Sequence, residues 1–302
     1  MTPSGEQLRI SSAGYEATVV EVGGGLRTLA QDGEDLFDGY GESEMCDGGR
    51  GQLLIPWPNR LKDGSYEFEG ERHQLALSEP ERGNAIHGLL RWVAWTPIER
   101  EQERVVLRHL LHPQPGYPFL LEVEVEYALS TDGLTVRTRA TNVGDRPCPY
   151  GAGAHPYLTA GADLVDSCRL RVPARTRLVA DERGIPTGSE PVAGSEYDFR
   201  GGREIGSFRL DTAYADLERD QEGRARAELA SASRTVTLWV DAAHPYLMVF
   251  TGDTLRPERR RRSVAIEPMT CAPNAFQSGD GLVVLQPGES SASAWGISGR
   301  RG

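Results

Sequence analysis

The strongest constraint in this chain is a two-residue alternation. Leu121, Val123, Val125 and Tyr127 are separated by Glu122, Glu124 and Glu126, so an extended backbone buries one face and wets the other. After Thr131-Asp132-Gly133 the alternation resumes as Leu134, Val136 and Thr138 against Thr135, Arg137 and Arg139, which predicts a hairpin. Tyr66 and Phe68 after Asp63-Gly64, the apolar set Val236, Leu238 and Val240, the run Leu282–Leu285 and Val105-Val106-Leu107 predict further strands. The 35 glycines and 19 prolines supply turns throughout, and no window of about twelve residues carries a clean helical period. Many short strands with frequent turns predict an all-β chain, a large antiparallel β-sandwich or barrel with few or no long helices. No series of βα units supports a Rossmann or TIM fold.

A chain of 302 residues would ordinarily suggest about two domains, but all-β units run longer. No linker or low-complexity stretch divides it, so residues 1–302 are read as one domain. The least regular segments are expected at 180–206, rich in Gly, Ser and charge, and at 256–262. Basic residues number 33 and acidic residues 44, a net charge of −11, which argues against a nucleic-acid partner because phosphate binding needs a basic face. Only Lys62 among the basic residues is a lysine, and it stands before Asp63-Gly64, so lysine Schiff-base chemistry is set aside. Cys46, Cys148, Cys168 and Cys271 form no CxxC motif; reduced thiols are expected. The N-terminal residues have no apolar signal-peptide core, and no later run reaches about 18 apolar residues. A cytoplasmic protein that does not enter a membrane is expected. The sequence carries no signal of oligomeric state.

Motifs for a P-loop, a GxGxxG turn, a GxSxG elbow and HExxH are all missing, and six scattered histidines leave no metal and no cofactor to expect. Arg259–Arg262 reads as a solvated hairpin tip, with anion binding as the alternative. Four segments instead put ionisable groups beside Pro or Gly: Ile55-Pro56-Trp57-Pro58-Asn59-Arg60, Asn84-Ala85-Ile86-His87-Gly88, Gly151-Ala152-Gly153-Ala154-His155-Pro156-Tyr157, and Ala265-Ile266-Glu267-Pro268-Met269. A polar group at the end of a rigid strand is well placed for chemistry. Glu267 is the most informative, because an apolar strand carries it into the core, where carboxylates are usually paired or functional. Trp57 has a simple core reading and Arg60 a simple salt-bridge reading. Ala-His-Pro-Tyr-Leu occurs twice, at 154–158 and at 243–247, so residues alone do not say whether His155 or His244 matters.

In this order the segments resemble the aldose 1-epimerase (galactose mutarotase-like) family, from about Gly23 to Gly296. The resemblance rests on Pro58-Asn59-Arg60 with Asp63-Gly64 and Tyr66-Glu67-Phe68, then His87-Gly88, His155-Pro156-Tyr157, Leu210-Asp211 and Ile266-Glu267-Pro268. It implies a single large antiparallel β-sandwich and an isomerase that interconverts hexose anomers without cofactor. It implies Glu267 as catalytic base and His155, rather than His244, as catalytic acid. Asn59, Arg60, His87 and Asp211 match sugar-binding positions, and Trp57 is expected to stack on a sugar face. With ordinary pKa values near ~4.3 and ~6.5, Glu267 is expected ionised and His155 protonatable at neutral pH. A neutral aldose is the first substrate choice, since Asp211 would repel a nearby phosphate. Phosphorylated or sulfonated hexoses, a glycoside hydrolase using Asp211 with Glu267, and a non-catalytic sugar-binding module are the rival readings.

Overall fold

The computed structural model describes residues 2–302. Two large sheets dominate, and every strand pairing within them is antiparallel. The nine-stranded sheet runs Thr96–Arg100, Arg104–Leu111, Leu121–Ser130, Gly133–Asn142, Ser290–Arg301, Arg234–Val240, Ala225–Ala230, Arg169–Arg171 and Arg203–Glu204. The hairpin predicted at Thr131-Asp132-Gly133 is present, with Ser130 opposite Gly133 and Leu121 opposite Asn142. Leu121, Val123, Val125 and Tyr127 are fully buried, each contributing roughly 1.5–3 kcal/mol by leaving water. The glutamates between them lie under arginines: Glu126 accepts from Arg104 at 2.7 Å and from Arg137 at 2.6 Å.

The eight-stranded sheet holds the candidate chemistry. Its order is Pro186–Pro191, Ala174–Ala180, Asp211–Leu217, Tyr246–Phe250, Val264–Met269, Gly153–Ala154 and Leu53–Leu54, with Tyr157–Leu158 also on Val264–Met269. A smaller four-stranded sheet, from Gln7–Ser12 to Glu34–Asp35, flanks them. The main apolar cluster runs continuously from Leu8 to Ile297. The α-helix Ala275–Ser278 is a single turn, and no helix among the described residues is long and apolar enough to cross a membrane. All four cysteines are free.

Two expectations about irregular segments are corrected. Within 180–206, Pro186–Pro191 forms an edge strand with proline at both ends, where missing amide donors cost nothing. The Arg259–Arg262 run is no free hairpin tip. Arg259 reaches Asp38 at 2.9 Å, and Arg261 reaches Asp166 at 2.8 Å and Asp253 at 2.9 Å. These contacts use its cations to tie the loop down.

Candidate active site

Strand register brings Glu267 and His155 together. Val264–Met269 is buried along its whole length, and on one side it bridges the segment around His155 twice. Gly153 pairs with Met269 and Tyr157 pairs with Ala265. Two residues inward from either bridge, His155 faces Glu267. The ladder opens at that point: the His155 amide donates to Gln52 O, while the Ile266 amide donates to Pro156 O. In the opening, His155 Nε2 lies 3.3 Å from Glu267 Oε1. His155 Nδ1 and Glu267 Oε2 are buried and have no partner among the described residues, so both groups keep unused hydrogen-bonding capacity.

The loop before this sheet fixes the imidazole from behind. The His155 and Tyr157 rings stack at 4.9 Å, and the Arg50 guanidinium lies 4.3 Å from the Tyr157 ring centroid. Arg50 is fully buried between Asp38 and Asp47, each at 3.1 Å. Gly49 has φ +74°, and a Cβ there would lie 2.7 Å from His155 Cδ2. Only glycine satisfies both conditions. Sequence reasoning passed over Cys46-Asp47-Gly48-Gly49-Arg50, although its adjacent glycines and lone arginine were the available signal.

A second loop pair supplies Asn59, Arg60 and His87. The Asn59 amide donates to His87 Nδ1 at 3.2 Å, and the His87 amide returns a bond to Asn59 O at 2.9 Å. Because His87 Nδ1 accepts, the neutral ring carries its proton on Nε2. The His87 and His155 rings meet edge-on at 5.4 Å. Arg60 is held in a fork by Glu79 at 2.8 and 3.0 Å, and Asn84 braces the same carboxylate.

These groups line one cleft of about 360 Å³, together with Asp211. Trp57 does not. Its ring packs against Phe276 at 5.5 Å inside the core, which corrects the expectation that it stacks on a sugar. Apolar burial wins: the ring is almost fully withdrawn from solvent in the main core cluster. The exposed aromatic on the cleft is Trp92, which lies four residues after Gly88 and carried no motif. His244 lies elsewhere, buried and bonded to Asp241 at 2.9 Å. A larger depression of about 600 Å³ over Asp35, Asp38, Arg259 and Arg262 contains none of the expected residues.

Burial overturns the expected protonation of the pair. Desolvation drives the His155 imidazole down to about 3, with the Arg50 charge adding to the effect. Desolvation and then the Asp211 charge hold the Glu267 carboxyl well above the ordinary carboxylate range, against the opposing pull of Arg60. His87 is likewise pushed well below an ordinary histidine by desolvation, then by His155. The Glu267 and His155 shifts both favour the uncharged forms, a protonated Glu267 carboxyl beside a neutral His155 imidazole, and ionisable groups this close influence each other's titration. His87, His155 and Glu267 also place one donor atom each within 4.8 Å of one another. Those would be the ligands of a small cation, which would compete for the same sites as the carboxyl proton. Scattered sequence positions hid that convergence.

A sandwich that buries a carboxyl against an imidazole at the floor of a polar cleft is a scaffold for proton transfer. The sequence profile of the aldose 1-epimerase family matches residues 6–298, and the chain belongs to that family. The uncharacterized protein YihR of Escherichia coli K-12 is 34% identical over 302 residues, 99% of this chain and 94% of that one. A GalM/aldose epimerase homologue from C. elegans superposes with a TM-score of 0.88 at 19% identity over 98% of this chain and 99% of that chain. Galactose 1-epimerase from Lactobacillus acidophilus gives 0.82 at 22% identity over 96% and 92%. At those identities the structures establish the galactose mutarotase-like fold.

Proposed function

We propose that the protein is an aldose 1-epimerase that interconverts the α and β anomers of a hexose. The observation that carries this reading is the 3.3 Å approach of His155 Nε2 to Glu267 Oε1 in a cleft large enough for a sugar. Anomer exchange moves two protons: one leaves the C1 hydroxyl and another reaches the ring oxygen. A singly protonated pair contains both tools, since moving its proton from Oε1 to Nε2 gives a carboxylate and an imidazolium. Glu267 then takes the hydroxyl proton while His155 protonates the ring oxygen, and the C1–O5 bond opens to an aldehyde. Rotation about C1–C2 presents the other carbonyl face. Closure reverses both transfers and restores the pair. His87 Nε2–H, Asn59, Arg60 and Asp211 offer donors and acceptors for the hydroxyls, and Trp92 offers a flat apolar surface.

The test follows the optical rotation of freshly dissolved α-D-glucose and α-D-galactose with and without protein. Faster equilibration that disappears in Glu267→Gln supports the proposal. Binding without acceleration would assign a sugar-binding module, and release of reducing sugar from a glycoside would assign a hydrolase. The rate should show a broad plateau across neutral pH. Its acid flank, where the pair takes a second proton, lies below an ordinary histidine, and its alkaline flank lies above an ordinary carboxylate. Flanks at the ordinary values of the two groups would remove the shared-proton step.

A further inference from the structure

The backbone ladder lapses between His155 and Glu267, so the spacing of the two side chains falls to what packs behind them. One residue far from both in sequence reaches each side. Asp38 follows the bridge between Phe37 and Leu158, and its amide donates to Tyr157 O at 2.9 Å. Its carbonyl accepts Arg50 Nε at 2.7 Å, and its Oδ2 accepts Arg50 Nη2 at 3.1 Å. Arg50 lies over the Tyr157 ring, which stacks on the His155 imidazole with the two planes 14° apart. The same Oδ2 accepts the Ser263 hydroxyl at 2.7 Å, and Oδ1 accepts Arg259 Nη1 at 2.9 Å. Ser263 is fully buried and immediately precedes Val264–Met269, the strand that carries Glu267.

Asp47 also binds Arg50, at 3.1 Å, but its other oxygen goes to the exposed Arg256 at 2.9 Å. Asp38 instead joins the two halves of the site, because the backing of His155 and the root of the Glu267 strand share its Oδ2. A carboxylate suits this place: it only accepts, and its partners here are two guanidinium groups and a hydroxyl. Charge-assisted bonds of this kind are short and specify geometry. Asp38 does not itself line the cleft, so it can act on a sugar only through the groups it holds.

We propose that Asp38 is a positioning residue that sets the approach of His155 to Glu267, bracing Arg50 behind the imidazole and Ser263 at the root of the Glu267 strand. Its consequence for rate rests on the epimerase reading; the bracing of His155 does not.

The experiment compares Asp38→Asn and Ser263→Ala with the wild type by mutarotation of glucose and galactose, by urea unfolding and by NMR of the histidine ring nitrogens. Asn keeps the size of the side chain but turns an N–H toward groups that can only donate. In Asp38→Asn kcat should fall roughly ten- to a hundred-fold while KM changes by less than about two-fold, the pattern of a misplaced acid–base group rather than a lost sugar contact. Ser263→Ala, which removes a single bond, should slow kcat only a few-fold. In both variants the His155 ring signals, assigned by their loss in His155→Asn, should shift while those of His244 stay in place. A folded Asp38→Asn with wild-type kcat, or with its loss carried mainly by KM, overturns the inference and leaves the epimerase intact. His155 signals that stay in place overturn it whether or not the rate falls. If Asp38→Asn does not fold, the same readings on Ser263→Ala decide. If the wild type accelerates neither sugar, the epimerase reading fails, and the His155 signals alone decide whether Asp38 holds the imidazole.

Discussion

The two copies of Ala-His-Pro-Tyr-Leu have the same five residues and opposite environments. In the first, His155 falls in a gap between two bridges to one buried strand, facing a carboxyl across 3.3 Å. In the second, His244 follows the turn at Asp241 and takes that side chain at 2.9 Å before the strand Tyr246–Phe250 begins. Glu267 is wholly buried, whereas Asp241 is half-buried and also accepts the Ala294 amide at 2.7 Å. One histidine is left with an unpartnered ring nitrogen and the other is tied to a turn. The pentapeptide determines neither outcome; the partner strand does.

The sharpest way to break this contrast is to remove each histidine. Glu267→Gln and His155→Asn should each slow mutarotation by about 10²–10⁴-fold, the usual worth of a positioned acid or base, measured by polarimetry on folded protein. His244→Ala should leave the rate per folded molecule unchanged. It should cost roughly 1–3 kcal/mol of stability through its lost buried hydrogen bond, read from urea unfolding. A slow His244→Ala with a normal His155→Asn would exchange the two roles.

The pH dependence of stability separates the copies in another way. Native His155, held near 3 by burial, refuses a proton that the unfolded chain accepts below about 6.5. Its presence therefore erodes stability as pH falls from about 6.5 toward 3. Replacing it with Asn removes that erosion. The stability of the wild type minus that of His155→Asn should fall with falling pH, by about 1.4 kcal/mol per pH unit at its steepest. Denaturant titrations at several pH values measure the slope, and a pH-independent difference would mean that His155 is charged in the native state.

Much of the sandwich was legible because period-two burial is local: Leu121 to Tyr127 and the hairpin after them need no knowledge of distant chain. Glu267 was legible for the same reason, as a carboxylate within an apolar run. What was not legible depends on register. His155 and Glu267 are neighbours only through bridges at Gly153 and Tyr157, and antiparallel register over such distances is invisible in composition. Protonation was misjudged with it, since burial of both partners follows from that pairing. Trp57 was misplaced because a tryptophan beside Asn59 and Arg60 looks the same in sequence whether it faces the cleft or Phe276. Trp92 escaped because the long strand-to-strand path brings it to the cleft mouth without any motif.

Gly49 tests how tightly the first copy is held. Ala at this position would need a left-handed backbone and would drive its methyl against the His155 ring, where the Cβ contact is 2.7 Å. Displacing a catalytic group by about 1 Å can cost on the order of 10²-fold. Gly49→Ala should therefore reduce kcat by roughly ten- to a hundred-fold while changing KM little. Among the described residues no glycine has His244 among its nearest neighbours, so the change should not alter the Asp241 turn. A kcat loss matched by an equal loss of folded protein would reduce the effect to stability alone.

The mildest test uses the tyrosines of the two copies. Tyr157 is fully buried, and its hydroxyl donates to Gly48 O at 2.8 Å. Tyr246 lies half-buried beside a small cluster with Ala213 and Met248, and its hydroxyl makes no side-chain hydrogen bond among the described residues. Removing the first hydroxyl leaves the Gly48 carbonyl short of a donor, at a cost of about 0.5–1.5 kcal/mol. It also loosens the loop that presses Gly49 onto His155. Tyr246→Phe should change stability by no more than about 0.5 kcal/mol. Since Tyr157→Phe keeps the ring, the stack on His155 and the Arg50 contact both survive. Its rate should therefore fall only a few-fold, far less than in Gly49→Ala. Equal effects of the two tyrosine changes, in rate and in denaturation midpoint, would show that the Gly48–Tyr157 bond does not help to hold the first copy in place.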